Sequence, residues 1–268
     1  ANPEDYTNRG SIITPLKDRI ESQILTHYPK TIEIARQITR QEARLSEDQR
    51  KAIRVPEVLE VLLEQIAFSA RESEFVDEKS GVSARLSISG YENLVSTAER
   101  RMLINGETQT TARLADFWGV PPAITGKVEL VYEGEQEGPY AVAVALLGQA
   151  IKTLFLQYFS NPDKLKKGQE RDPYGTVKAW FSAGHTIDLL NDSSDAEFRK
   201  ELGKVAGLAK LAERPELKEE DRSVMMELAL HGLAEFNVLN KEYLESRFSF
   251  RDLLAGMLDD DDFDEESE

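Results

Sequence analysis

The sequence contains no cysteine among its 268 residues and only three histidines. Without cysteine the chain can form no disulfide bond and no cysteine-ligated zinc site. This composition is typical of a protein from a reducing compartment, and we predict a cytoplasmic location. None of the histidines stands in a Ser–His–Asp pattern, so the sequence does not predict a catalytic triad.

Two further classes of protein are disfavoured by what the chain lacks. The 33 Lys and Arg residues are interspersed with acids and form no long basic run, so no direct nucleic-acid surface is predicted. The most apolar stretch, residues 142–159, carries Gln149, Lys152 and Gln157. Because those side chains are costly in hydrocarbon, the stretch predicts a buried helix and not a membrane span.

Acidic residues are concentrated at the end of the chain. The formal net charge is −16, and the last ten residues, DDDDFDEESE, contain eight acids. A block of like charges cannot bury enough apolar surface to fold, so residues 257–268 are predicted to form a disordered acidic tail. Two hypotheses for this tail stay open: it aids solubility, or it docks on a basic surface with Phe263 as its anchor.

Most of the remaining sequence has the apolar spacing of amphipathic helices. The spacing predicts three long helices, at residues 31–44, 56–72 and 84–104. Pro56 suits the first turn of the second helix, and Asn105-Gly106 is a typical end for the third. The fold class predicted from this pattern is mainly α.

The second half of the chain predicts further helices. Residues 112–124 are expected to form a short helix that Pro121-Pro122 closes, and residues 127–132 fit either a strand or the start of a helix. The segment 194–197, Ser-Asp-Ala-Glu, is a capping box that predicts a helix after it. The last long helix is predicted over residues 219–239.

Three short motifs carry residues suited to ATP chemistry. The amide of Asn2 can donate to a phosphate oxygen and accept from an attacking water at the same time. Arg19, in PLKDRI at residues 15–20, keeps its charge and can contact the phosphate of a neighbouring subunit. Arg85, in SAR at residues 83–85, lies in the first turn of a predicted helix, where phosphates bind readily. Each also has an ordinary interpretation, as a turn residue or a surface arginine.

The order and spacing of these motifs resemble those of AAA+ ATPases, in particular the magnesium chelatase ATPase subunit and the MoxR-like ATPases. Asn2 resembles the sensor-1 residue of that family, and Arg85 resembles the sensor-2 residue of its helical lid. Arg19 resembles the arginine finger, although Ile20 replaces the usual Phe. The segment ITGKVELVYEGEQEG, residues 124–138, is similar to that of bacterial magnesium-chelatase-like ATPases.

The resemblance implies a domain organisation. Residues 1–29 are expected to be a remnant of the α/β AAA+ core, residues 30–110 the helical lid, and residues 111–256 a C-terminal helical domain. The chain has no phosphate loop, because Gly126-Lys127 lacks both the upstream glycine and the following Ser or Thr. We therefore expect the phosphate-binding half to lie upstream, and the chain alone not to hydrolyse ATP.

The resemblance also implies cofactors and partners. These are ATP and Mg²⁺, used in a homo-oligomeric ring that remodels a protein partner or assists metal insertion. Two alternatives stay open: a non-enzymatic helical protein-interaction module, and an ATPase-type transcriptional activator.

Other polar residues receive structural interpretations. Arg100 and Arg101 lie about four turns beyond Arg85 and are expected to face solvent or a subunit interface. One histidine, His185, is near Asp188 and Asp192, but this set is too small to predict a metal site. A surface network is expected there, and no metal ligand is predicted.

Overall fold

The structure is a computed structural model that describes residues 19, 21–22, 24–77, 81–165, 172–215, 218, 221–244 and 246–253. The chain divides into two compact units, residues 1–30 and 31–268. In the first unit, the described residues belong to no helix or strand. The second unit contains every helix and strand described below.

The second unit begins with four helices. They are α1 (Ile32–Glu42), α2 (Glu47–Ala52), α3 (Glu57–Arg71) and α4 (Arg85–Ile104). The hydroxyl of Thr31 caps α1 and accepts from the backbone N–H of Ile34. Three of these helices, α1, α3 and α4, confirm the sequence prediction to within two residues at each end. They pack against one another, and α3 and α4 bury apolar faces as the periodicity indicated, whereas α1 buries only Ala35 and Thr39.

A short parallel strand pair flanks α3 and α4. Strand β1 (Ile53–Arg54) pairs with β2 (Thr110–Thr111), so the segments before α3 and after α4 are held side by side. A 3₁₀ turn (Ala115–Gly119) and helix α5 (Pro121–Thr125) come next. The predicted closing role of the two prolines is wrong, because Pro121 starts α5. Proline suits a first helical position, where no N–H is needed.

Helix α7 (Pro139–Tyr158) is the central helix of the second unit, and it follows the short helix α6 (Tyr132–Glu137). Within the described residues α7 is the one helix with the length and apolar composition to cross a membrane, and half of its most apolar window is buried. It packs against α3, α5 and α11 (Arg222–Glu235). These contacts make it the core helix that the sequence predicts.

The last part of the unit is a three-stranded antiparallel sheet beside four helices. The strands lie in the order β3 (Ile187–Leu190), β5 (Arg247–Asp252), β4 (Leu239–Leu244). The helices are α8 (Gly175–Ser182), α9 (Asp195–Gly203), α10 (Leu208–Ala212) and α11. The capping box at Ser194 is confirmed, since its hydroxyl accepts from the backbone N–H of Glu197 while the Glu197 carboxylate accepts from that of Ser194.

The predicted end of the last long helix is wrong. Helix α11 ends at Glu235, and Leu239 already begins β4. Asn237 adopts a left-handed conformation with φ of 52°. The N–H of Val238 donates to the Leu233 carbonyl, and the N–H of Asn237 donates to that of Ala234. This Schellman arrangement terminates the helix and turns the chain into the sheet.

One cluster of buried apolar residues runs from Ile53 to Phe250 and joins elements from the first and last parts of the second unit. The cluster is continuous across residue 110, where the resemblance places a boundary between lid and C-terminal domain. That boundary stays a prediction. The fold is mainly helical, as predicted from the sequence.

Candidate functional site

The three residues predicted for ATP chemistry differ in what the structure describes of them. Asn2 lies outside the described residues. Arg19 lies in a turn of the first unit and is exposed. Arg85 is the first residue of α4, in the second unit, and is exposed as well. Each unit is described by itself, so Arg85 is the residue around which a site can be built.

Helix α4 begins with a basic residue, Arg85. Its first turn contains no acidic residue, and Ala84 at the N-cap position provides no side-chain cap. The first turns of α5, α7, α8, α10 and α11 also lack an acid, whereas α1, α2, α3 and α9 each have Asp or Glu there. The Arg85 side chain has no hydrogen-bond or ion-pair partner within the described residues, and its backbone N–H donates to the Ser83 hydroxyl at 3.2 Å. A cation at the positive end of a helix is unfavourable unless an anion is bound there.

The turn that carries Arg85 is fixed by buried groups directly after it. Leu86 is fully buried, and the Ser87 hydroxyl donates to the Glu64 carboxylate on α3 at 2.7 Å. The second oxygen of Glu64 accepts from the Thr39 hydroxyl on α1 at 2.5 Å. Burial raises the pKa of Glu64 above its usual value, although both hydroxyl donors oppose that shift. This buried carboxyl therefore ties α1, α3 and the first turn of α4 together.

Ion pairs reinforce the contact between α1 and α3. The Arg36 guanidinium donates to Glu60 at 2.8 Å and to Glu57 at 2.6 Å, and Arg40 donates to Glu60 at 2.5 Å. The Glu60 side chain is only 6% exposed. Because a buried carboxylate without a partner is costly, these arginines hold α1 in register on α3.

The expectation that Arg101 faces solvent is wrong. Its side chain is 1% exposed, and all five of its N–H groups are used. Its guanidinium forms two bonds to Asp116, at 3.1 and 3.0 Å, and one to Asp195 at 2.8 Å. The remaining two go to the Thr110 hydroxyl at 2.9 Å and the Thr111 carbonyl at 3.0 Å. Arg101 thus joins α4 to β2, the 3₁₀ turn and the start of α9.

A second arginine completes this buried network. Arg113 donates to Asp195 at 2.6 Å and lies 4.1 Å above the ring of Phe198. Both arginines hold the pKa of Asp195 below its usual value, even though burial opposes the shift. Every charge in the network has an opposite partner, so its role is structural. Arg100, the neighbour of Arg101, is exposed as predicted and pairs with Asp192 at 2.6 Å.

A cleft of about 490 Å³ beside this network is lined by three basic residues. Arg50, Lys51 and Arg54 line it, together with Thr111 and Asp195. Two of its cations pair with acids: the guanidinium of Arg54 pairs with Asp221 at 2.5 Å, and Lys51 pairs with Glu47 at 3.4 Å. The third, Arg50, donates to the backbone carbonyl of Ala43 at 3.1 Å. Acids therefore offset part of the positive charge of this cleft.

The surface network expected near His185 is made of separate pairs. The His185 ring stacks on Trp180 at 4.8 Å, Asp188 pairs with Arg247 at 3.5 Å, and Asp192 pairs with Arg100. In the part of the chain that the structure describes, no group of three or more His, Cys, Asp or Glu side chains is placed to hold a metal ion.

Sequence reasoning missed the buried polar groups that fix the start and the end of α4. The helical spacing could have indicated Arg101, because Leu94, Ala98 and Arg101 follow each other at spacings of four and three and lie on the same buried face of α4. Glu64 carried a weaker signal, as an acid inside the apolar stretch of α3.

Comparison with known proteins adds no assignment. The chain matches no protein-family model, no curated protein and no solved structure.

Proposed function

We propose that this chain is part of an AAA+ ATPase of the magnesium chelatase ATPase-subunit and MoxR-like group, and that its helices α1, α3 and α4 act as the nucleotide lid. In this proposal Arg85 contacts the phosphates of ATP from the start of α4. The motif order in the sequence supports the assignment, and the geometry of the helix start supports the role of Arg85.

The observation that carries the proposal is the exposed, unpaired Arg85 at the first residue of α4, among the residues that the structure describes. The arrangement is unfavourable on its own, because a cation at the start of a helix is repelled by the helix dipole by about 0.3–1 kcal/mol. Such unfavourable arrangements are expected at functional sites. A bound phosphate would make this arrangement favourable, because the helix N–H groups and the guanidinium would then both contact one anion.

A lid arginine works only if its helix moves as a rigid body. Glu64 provides that rigidity, because it ties the first turn of α4 to α3 and α1. Closure of the lid on ATP would then move Arg85 together with all three helices. The free energy of the Arg85–phosphate contact would then favour closure of the whole lid, because the first turn of α4 would move with the other helices and would not unwind.

The cofactors in this proposal are ATP and Mg²⁺. Arg85 fits the phosphates, because guanidinium donors match phosphate oxygens. Mg²⁺ would neutralise charge on the phosphates during transfer. The described residues offer no cluster of acids for a metal, so the proposal assigns Mg²⁺ no ligand from them. In this proposal the phosphate loop belongs to another part of the protein.

The remaining elements of the proposal follow from the resemblance. Asn2 would position the attacking water, and Arg19 would reach the ATP of a neighbouring subunit in a homo-oligomeric ring. The assembly would remodel a protein partner or assist metal insertion in the cytoplasm. The exposure of Arg19 is compatible with a role across a subunit interface.

The proposal is tested by Arg85→Ala in the full-length protein, with Arg100→Ala as matched control. Arg100 is an exposed arginine on the same helix, about 22 Å further along its axis. We expect Arg85→Ala to weaken ATP affinity about tenfold or more and to leave the melting temperature unchanged. Arg100→Ala should change neither quantity by much.

Two results contradict this assignment. One is ATP affinity that is equal in the Arg85→Ala and Arg100→Ala proteins. The other is a large loss of thermal stability in Arg85→Ala with unchanged affinity, which would identify a structural arginine. Either result would remove the phosphate-binding role from Arg85.

A further inference from the structure

A pocket away from the start of α4 lies between α7, α11 and the β4–β5 hairpin. Its volume is about 320 Å³. Aliphatic side chains of α7 form one wall. The other wall is aromatic: the rings of Trp118, Tyr243 and Phe248 lie 3.7 to 5.8 Å apart between centroids. This volume is at the small end of the range for ligand pockets, which are mostly apolar with a few polar groups.

His231 is the buried polar group that lines this pocket. The residue is 1% exposed, and neither ring nitrogen has a hydrogen-bond partner among the described residues. Its ring contacts Phe248 and Phe250 edge to face, at 4.8 and 5.0 Å between centroids. Burial lowers the pKa of His231 well below its usual value. A neutral imidazole has one donor and one acceptor, and leaving both unpaired in a buried site costs stability.

The charges near the pocket cancel. Glu235 and Lys241 line it and pair with each other at 2.5 Å, each with about a quarter of its side chain exposed. An ion pair of this kind gives the entrance no net charge. The pocket therefore has no electrostatic preference for a cation or an anion. Its unpaired hydrogen-bonding atoms, among the described residues, are the ring nitrogens of His231.

We propose that this pocket binds an uncharged aromatic small molecule, of one or two fused rings, that bears a ring N–H or a hydroxyl group. The aromatic wall of Trp118, Tyr243 and Phe248 contacts the faces and edges of the ligand rings. His231 accepts the hydrogen bond of the ligand N–H or O–H. The site shares no residue with the start of α4, and the proposal does not depend on ATP binding.

The probe is indole, compared with indene, which has nearly the same shape but no N–H group. The chain contains two tryptophans, so Trp180→Phe leaves the Trp118 indole N–H as a single NMR signal that reports on the pocket. We expect indole to shift this signal saturably and to bind about three- to tenfold more tightly than indene. His231→Phe, which keeps a ring but removes both nitrogens, should abolish that preference.

A second pair of variants keeps the test decisive if His231→Phe fails to fold. Ala145 is exposed on α7 and lines the pocket, whereas Ala141 is exposed one turn earlier and does not. We expect Ala145→Phe to block indole and Ala141→Phe to leave its binding intact.

Three results overturn the proposal. The first is that neither probe shifts the Trp118 signal. The second is that indole and indene bind equally and His231→Phe changes nothing, which would make the pocket a purely apolar cavity. The third is that Ala145→Phe and Ala141→Phe bind indole alike, which would place the binding elsewhere. Loss of ATP binding in Arg85→Ala would leave all of these outcomes unaffected.

Discussion

Replacing Arg101 with methionine should be the most destabilising single change in the arginine network of α4. Methionine keeps the length and the apolar contacts of the stem but removes five hydrogen bonds. It leaves the Asp116 side chain, 2% exposed, with one bond from the backbone N–H of Arg113 at 2.8 Å. Breaking a buried pair in this way costs about 3–5 kcal/mol, because an uncompensated charge stays buried.

The assay is equilibrium unfolding in urea, followed by far-UV circular dichroism. The matched control is Arg100→Met, at the neighbouring position of the same helix. The Arg100 side chain is 62% exposed and pairs with Asp192 on the surface, so its loss should cost less than about 1 kcal/mol. The two variants differ in burial and not in chemistry. The difference between them therefore isolates the effect of burying the ion pair.

A double-mutant cycle separates the lost contacts from the stranded charge. Arg101→Met with Asp116→Asn should be less destabilised than the sum of the two single changes, since no unpaired charge then remains. We expect a coupling energy of about 1–3 kcal/mol. The reasoning is refuted if Arg101→Met unfolds within 1 kcal/mol of Arg100→Met, or if the double mutant is simply additive.

Three further predictions concern α11. A Cβ added at Gly232 would lie 2.0 Å from the ring of Phe155, so Gly232→Ala should lower the free energy of unfolding by about 1–3 kcal/mol. The control Gly203→Ala has open space around the added Cβ and should not lower it, and equal stabilities of the two variants would disprove the close approach. Burial raises the pKa of Glu227 from 4.5 to about 8. The stability that this residue contributes should therefore be fully present below pH 4.5 and be lost as the pH rises to 8, by about 1.4 kcal/mol per pH unit relative to Glu227→Gln. An opposite slope would mean that the hydrogen bonds from the N–H groups of Leu114 and Ala115 to its carboxylate dominate. His231→Phe should raise the free energy of unfolding by about 1–3 kcal/mol, because it removes two unpaired buried nitrogens. A loss of stability would show that these nitrogens have hydrogen-bond partners in the native protein.

The long helices could be predicted from the sequence because their signals are local. Apolar spacing located α1, α3 and α4, and the capping box at Ser194 located the start of α9. The strands of the antiparallel sheet could not be predicted in the same way. Each has four to six residues, and the pairing of β3 with β5 depends on contacts between segments about 60 residues apart, such as Ile187 with Phe250. No local pattern carries that information.

The candidate site was partly accessible from sequence. The motif indicated Arg85 at a helix start, and the structure has it there. The connections of Glu64 to Thr39 and Ser87 depend on how three helices pack, and spacing within one helix does not show them. His231 is a similar case, since its neighbours come from α7, the 3₁₀ turn and the hairpin.

The central claim is that the start of α4 faces bound ATP, and a distance measurement tests it most directly. This chain has no cysteine, so a spin label can be attached to a single introduced one, at Ser89 one turn after Arg85 or at the exposed Leu103 near the other end. These positions lie about 20 Å apart along the helix. With Mn²⁺ replacing Mg²⁺ in the ATP complex of the full-length protein, electron paramagnetic resonance measures the distance from each label to the metal. The account predicts that Mn²⁺ lies much closer to residue 89. Equal distances, or a shorter one to residue 103, would contradict it.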